Sequence, residues 1–180
     1  MRVLGLDPGS RSTGFGVVDG SGNRYRSVRH GHIAPPARLD LPLRLHAIAT
    51  RVGDLIDEFA PDCVAVEEAF YHESVRSTLV LGHVRGALLV AAVSRGVPLA
   101  EYSPREVKLS VTGGGAASKE QVAFMVRRLL GLGGALQADA ADALAVALCH
   151  HHRVRLRAPA RVATAAARTL EALLERRRTS

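Results

Sequence analysis

The sequence predicts an α/β domain, a mixed sheet flanked by helices, and two observations carry that expectation. Three strand-like segments open the chain, joined by turn-forming residues as in hairpins. Strand-like and helical segments then alternate, the pattern of strands linked by helical crossovers. At 180 residues the chain has the length of one domain with its own core.

Residues 2–7 read as the first strand, with the apolar run Val3-Leu4-Gly5-Leu6 ending at Asp7 and the turn Pro8-Gly9-Ser10. A second strand is expected around Gly14 to Val18, a turn over Asp19-Gly20-Ser21-Gly22-Asn23, and a third strand near Tyr25–Ile33. Pro35-Pro36 marks a loop. From Leu41 to Phe59 the apolar residues Leu45, Ile48, Val52, Leu55, Ile56 and Phe59 recur at helical spacing. Pro61-Asp62 opens a strand, Cys63-Val64-Ala65-Val66, which ends at Glu67. Ser74 to Ser94 is a second long helix, small and apolar from Gly86 to Val93, followed by a short strand over Val97–Tyr102.

Ser103-Pro104-Arg105-Glu106 places Ser at the N-cap, Pro at the first helical position and Glu at the third, which is a helix start. After the Gly113-Gly114-Gly115 loop, Ser118 to Leu130 is another helix, and Ala138 to Cys149 is the last helix of the body. Residues 1–152 form the domain in this reading, and 153–180 form a basic tail in which Arg161 to Arg178 is a weakly amphipathic helix.

The formal charge is +7 and the pI about 10.4, which makes nucleic acid the first partner to consider. Residues 153–180 hold eight Arg against two Glu, so the preceding body carries about one net positive charge and can still hold an acidic pocket. Of the 24 basic residues only Lys108 and Lys119 are lysines, each a compact point charge that Arg does not reproduce. Two cysteines in apolar surroundings, Cys63 and Cys149, suit a reducing cytosol. The longest purely apolar run, Ala87 to Val93, is too short to cross a bilayer, and no secretory signal is visible. The expected location is therefore cytoplasmic, with no membrane partner.

Four carboxylates stand out. Asp7 and Glu67 end buried strands, and Asp139 and Asp142 interrupt an alanine-rich helix, three apart and so on one face. Carboxylates at the ends of buried strands are costly to desolvate unless cations offset them. In a basic chain, such a cluster points to divalent metal chemistry on a polyanion. Mg²⁺ takes hard oxygen ligands and keeps waters and phosphates in its shell. Two such ions can activate a water and stabilise the leaving 3′ oxygen of a phosphodiester. Gly9, Gly14 and Gly16 permit a tight turn and close approach of a phosphate chain. Asp7 through Gly14 also resembles the phosphate loop of actin-like ATPases, but that fold needs two such domains. A small ATPase or phosphotransferase is thus an alternative, as is a junction-binding protein without catalysis.

Four segments together closely resemble the RuvC family of bacterial Holliday junction resolvases, in the RNase H-like (retroviral integrase) superfamily. They are Leu-Gly-Leu-Asp7-Pro-Gly-Ser-Arg-Ser-Thr-Gly, Val-Ala-Val-Glu67-Glu-Ala-Phe70, Leu81-Gly82-x-x-Arg85-Gly86 and Gln137-Ala-Asp139-Ala-Ala-Asp142-Ala-Leu-Ala. The resemblance runs from Leu4 to about His152. It implies an RNase H-like five-stranded mixed sheet, and a homodimer that resolves four-way DNA junctions by paired symmetric nicks in recombination and repair. It also implies Mg²⁺ or Mn²⁺, two ions per site, and a RuvA–RuvB branch-migration partner. Asp7, Glu67, Asp139 and Asp142 fall on the family's catalytic carboxylates, and Lys108 and Lys119 on basic positions tied to DNA binding and catalysis. Phe70 falls on an aromatic linked to base stacking, with Tyr71 beside it a further candidate. Arg76 and Arg85 on the second helix are candidates for phosphate contact.

The chain departs from the family pattern in the loop after Phe70, at His83-Val84, at Ser118 before Lys119, and in a fifth carboxylate, Glu68. Glu68 is expected to point away from the face that carries Glu67. The run Cys149-His150-His151-His152 at the helix end is expected to make helix-end or phosphate contacts rather than bind metal.

Overall fold

The computed structural model describes residues 1–9, 11–68 and 74–156. In chain order the elements are β1 (Arg2–Asp7), β2 (Thr13–Ser21), β3 (Arg24–Ile33), α1 (Leu41–Phe59), β4 (Cys63–Glu67), α2 (Val75–Val93), β5 (Leu99–Tyr102), α3 (Pro104–Thr112), α4 (Lys119–Leu130) and α5 (Ala138–Leu156). They build one five-stranded sheet in the order β3-β2-β1-β4-β5. The hairpin strands pair antiparallel, and β1–β4 and β4–β5 pair parallel, so the sheet is mixed as predicted.

Alternation along the strands divides the core in two. Leu4, Leu6, Phe15, Val17, Val64 and Val66 face α1 and α2. Val3, Val18 and Ala65 face the opposite layer, where α3, α4 and α5 pack. In α5 every residue from Ala143 to Cys149 is fully buried. That is why its sequence reads as apolar all round, without a polar stripe.

The helix starts follow their local chemistry. Ser103 and Ser118 each cap a helix through a reciprocal box, the first with Glu106 and the second with Gln121. Ser118, a departure from the family pattern, therefore has a structural role as the N-cap of α4.

Three expectations need correction. Gly14 and Gly16 do not open space for a phosphate chain. A Cβ at Gly14 would collide with the carbonyl oxygen of Asp139, and one at Gly16 would lie 2.7 Å from Leu144 Cδ2. Helix α5 takes that space, and Gly5 meets it in the same way at Ala143 and Ala147. Gly9 does serve the tight turn, since a side chain there would strike the carbonyl of Ser12.

The last helix runs to Leu156, seven residues beyond Cys149, because the histidine run is interior. His150 Nδ1 lies 2.8 Å from the Tyr102 hydroxyl, His151 Nε2 donates to the Val18 carbonyl at 3.1 Å, and His152 Nδ1 donates to the Ser110 carbonyl at 3.0 Å. These contacts replace the helix-end or phosphate role expected of them. The turn between β2 and β3 is shorter than its composition suggests, with strand pairing reaching Ser21↔Arg24 and only Gly22-Asn23 left out. Gly22 holds φ +59° there.

Helix α2 has the length and composition of a membrane span, 19 residues at mean hydropathy 1.3, although its longest uninterrupted apolar run is short. It carries Arg76, His83 and Arg85, and Val84, Leu88, Ala91 and Ala92 are buried in the core.

Candidate active site

Both central strands end in a carboxylate at the same edge of the sheet. Leu6 pairs with Val66 in parallel register, so Asp7 and Glu67 follow side by side on neighbouring strands. Strand alternation turns both toward the α5 layer, the face that also holds Val3, Gly5, Cys63 and Ala65. The first turns of α5 cross this end of the sheet, and Asp139 lies over Gly14, the antiparallel partner of Asp7. Asp142, one turn further, completes the group.

The electrostatics of Asp7 and Glu67 register the charges around them. Burial first, then Glu67, Asp142 and Asp139, push Asp7 up to about 8, against the opposing pull of Lys119. Burial and then Asp142 push Glu67 up to about 7, with Lys119 and Lys108 opposing. Lys119 Nζ donates to Asp142 Oδ2 at 3.3 Å, and Asp142 holds its ammonium above the usual lysine value. Glu68 is not among the charges that raise Asp7 or Glu67; its N–H continues the pairing with β5 by donating to the Tyr102 carbonyl at 2.9 Å.

Two contacts here were not legible in the sequence. The Ser12 hydroxyl donates to Asp139 Oδ2 at 2.6 Å, and Gln137 Nε2 lies 3.4 Å from the same oxygen. Ser12 and Asp139 are 127 residues apart. Nothing in the turn after Asp7 distinguishes Ser12 from any turn serine, so no local signal could have found the pair.

The donor set suits a hard divalent cation: four carboxylates, two of them held toward the neutral form by burial and mutual repulsion. Among the described residues, no group of three or more His, Cys, Asp or Glu side chains is drawn in closely enough to hold an ion as it stands. The partners explain this, since Asp142 is turned to Lys119 and Asp139 to Ser12. The fit therefore rests on the donor chemistry and on the repulsion that raises Asp7 and Glu67.

The remaining candidates fall in different places. Lys108 is half-buried on α3, close enough to Glu67 to lower its pKa. Arg76 is exposed in the first turn of α2. Arg85 lies on the other side of the sheet, where Glu101 of β5 holds it, Nε to Oε1 at 2.8 Å. Phe70 and Tyr71 lie outside the described residues, as does the tail beyond Leu156. A hollow of about 430 Å³ lined by Glu106, Leu109, Ser110, His152, Arg153 and Arg155 contains none of the four carboxylates. It lies about 20 Å along α5 from Asp139, at 1.5 Å per residue.

A mixed five-stranded sheet with carboxylates ending its two central parallel strands, and two more on a helix across its face, defines a nuclease of the RNase H-like class. The model of one family in that class, the crossover junction endodeoxyribonuclease RuvC, matches residues 3–150. The chain belongs to the RuvC family. The RuvC of Syntrophomonas wolfei is 45% identical over 157 residues, 87% of this chain and 91% of the relative. That of Pelobacter propionicus is 50% identical over 163 residues, 89% of this chain and 93% of the relative. Thermus thermophilus RuvC, solved in complex with a Holliday junction substrate, superposes with a TM-score of 0.82 at 39% identity. That match covers 87% of this chain and 96% of the other.

Proposed function

We propose that this enzyme resolves four-way DNA junctions by paired, symmetric, metal-dependent nicks, as a homodimer, in recombination and repair. The observation that carries the reading is the convergence of Asp7, Glu67, Asp139 and Asp142 at one end of the sheet, with Asp7 raised to about 8 by burial and by the other three. Two Mg²⁺ or Mn²⁺ ions, when bound, would polarise the scissile phosphate, lower the pKa of a water and offset charge on the departing 3′ oxygen. The four carboxylates would hold them. Ser12 fixes one oxygen of Asp139 and leaves the other free to turn toward the site. Lys119 balances Asp142 and, 77% exposed, can reach a phosphate oxygen when that carboxylate is engaged elsewhere. Lys108 adds positive charge on the Glu67 side. In-line attack then leaves a 5′-phosphate and a 3′-hydroxyl, ends that a ligase can join.

Phe70 and Tyr71 follow Glu67 closely in sequence and would stack an unpaired base beside the scissile strand. Arg76 would meet phosphate at the start of α2; Arg85 could do so only by leaving Glu101. The tail 153–180 would add nonspecific affinity, and a RuvA–RuvB branch-migration complex would be the partner, in the cytoplasm.

The dimer surface is α2. Val75, Leu79, Val90 and Val93 are exposed and share one stripe with Gly82 and Gly86, where an added Cβ meets no neighbour. Such a stripe of exposed apolar and small residues suits close packing against a second copy.

The test is cleavage of a synthetic mobile four-way junction against linear duplex, with Mg²⁺, Mn²⁺ or EDTA. Paired nicks on the junction alone, and only with metal, are expected. Binding without nicking under any metal would favour the architectural alternative.

A further inference from the structure

The sheet ends on one side in a long outer strand whose exposed residues are basic. Strand β3 is the outer strand next to β2, and its ten residues include Arg24, Arg26, Arg29, His30 and His32, all exposed. From Gly20 to Leu39 the chain holds these groups and Arg38 but no acidic residue. Arg26 Nη2 lies 3.3 Å from Asp19 Oδ2, but that carboxylate is held more closely by Arg2, at 2.7 Å. Arg24, Arg26 and Arg29 pair with Ser21, Asp19 and Val17 on the α1–α2 face of the sheet, and His30 and His32 pair with Gly16 and Gly14 on the α5 face, so the strand presents basic groups on both sides of its edge with little internal compensation.

Register ties this edge to the active site. Asp7 pairs with Gly14, and Gly14 pairs with His32. His32 is thus two strand spacings, about 10 Å, from Asp7 at the same end of the sheet. From there the strand runs away from the site through Arg29, Arg26 and Arg24. Ten residues span about 34 Å, which is about ten base pairs of duplex at 3.4 Å each. Residues two apart in a strand repeat at about 7 Å, close to the spacing of successive phosphates on one DNA strand.

We infer that the β3 edge is a second DNA-binding surface, which takes the phosphate backbone of a duplex arm as it leaves the cleavage site. This rests on the resolvase reading above and extends it from the scissile phosphate to the arm. The surface reads charge only. It contributes affinity and arm direction, and no base preference.

The test uses the full-length protein and the triple variant Arg24→Ser/Arg26→Ser/Arg29→Ser, which leaves the four carboxylates, both lysines and both β3 histidines in place. Binding to junctions with arms of about 20 or about 6 base pairs is titrated with salt in EDTA, each neutralised phosphate contributing about 0.9 to the slope of log K against log salt. On long arms the variant is expected to lose about two to three from that slope. On arms too short to reach Arg24 it should lose much less. An unchanged slope on long arms would overturn the proposal, and so would an equal loss on short arms, which would place the contacts at the crossover. Aggregation of the variant with an unchanged slope would also overturn it, because the arginines would then serve only to keep the open edge from pairing. Because these titrations need no cleavage, failure of the parent protein to cut any junction would count against the resolvase reading alone.

Discussion

Asp7 and Glu67 ionise near 4 in an unfolded chain, but in the fold they are held up to about 8 and about 7. A raised carboxyl pKa contributes stability that is present below the unfolded pKa and is lost as pH rises through the folded one. The metal-free protein should therefore lose thermal stability as pH rises from about 4 to about 8. Added Mg²⁺ or Mn²⁺ should raise Tm increasingly over the same range, and a cation effect independent of pH would contradict the shared-site reading. For the same reason Asp7→Asn should raise the metal-free Tm at alkaline pH while lowering junction cleavage by more than about 10³-fold. Junction binding should persist, since the change removes a proposed metal ligand and not a DNA-facing surface. His150 works in the opposite sense. Burial first, then His151, lower it to about 4, so its contribution is present above about 6.5 and is lost as pH falls toward 4. Two to three pH units at 1.36 kcal/mol each make this a loss on the order of 3 kcal/mol. His150→Gln should flatten the acid limb of a denaturation series run from pH 7 to pH 4. The two carboxylates at strand ends were visible in the sequence because a charge is rare there. His150 was not, because a histidine's burial depends on the layers that close over it, here β4, β5 and α5.

At the scale of elements, α5 joins the sheet to the site. It lies on the sheet over Gly5, Gly14 and Gly16, and it carries Asp139 and Asp142 to the strand ends. Gly14→Ala forces a methyl group against the Asp139 carbonyl, so the helix must shift. That should cost about 1–3 kcal/mol and lower cleavage beyond what the loss of folded protein accounts for, read as kcat on refolded, soluble enzyme. Unchanged activity would show that α5 tolerates the shift. The helix starts were legible from the Ser103 and Ser118 caps, and the strands from their apolar runs, since both signals are local. The glycines were open to two readings, because sequence shows that a side chain is missing but not what fills the space. The far end of α5 differs from its sequence expectation for a related reason: three histidines look like a polar helix end, while Tyr102, Val18 and Ser110 supply them with interior partners.

For the whole molecule, the proposed dimer would pack through the exposed α2 stripe. Leu79→Glu should convert the dimer to a monomer in sedimentation and uncouple the two nicks, leaving singly cut junctions; a dimer unaffected by the change would move the interface elsewhere. The tail can be tested without disturbing the fold only if it is cut after Leu156. Arg153 pairs with Glu106, and Arg155 donates to the Tyr25 hydroxyl, so the first tail residues belong to the body. Removal of 157–180 should reduce the salt dependence of DNA binding, since it takes away six arginines against two glutamates.

The sequence by itself determined the α/β class, the order of the elements, the four carboxylates and the family they belong to. Each of these is written in local pattern: apolar runs, helix caps, and acids where apolar residues are expected. Tertiary structure alone decided that α5 occupies the glycine lane, that Ser12 holds Asp139, that Arg85 turns to Glu101 on the far side of the sheet, and that β3 forms its open basic edge. Those facts depend on which strands become neighbours and in what register, and pairing between residues distant in the chain leaves no mark on either segment alone.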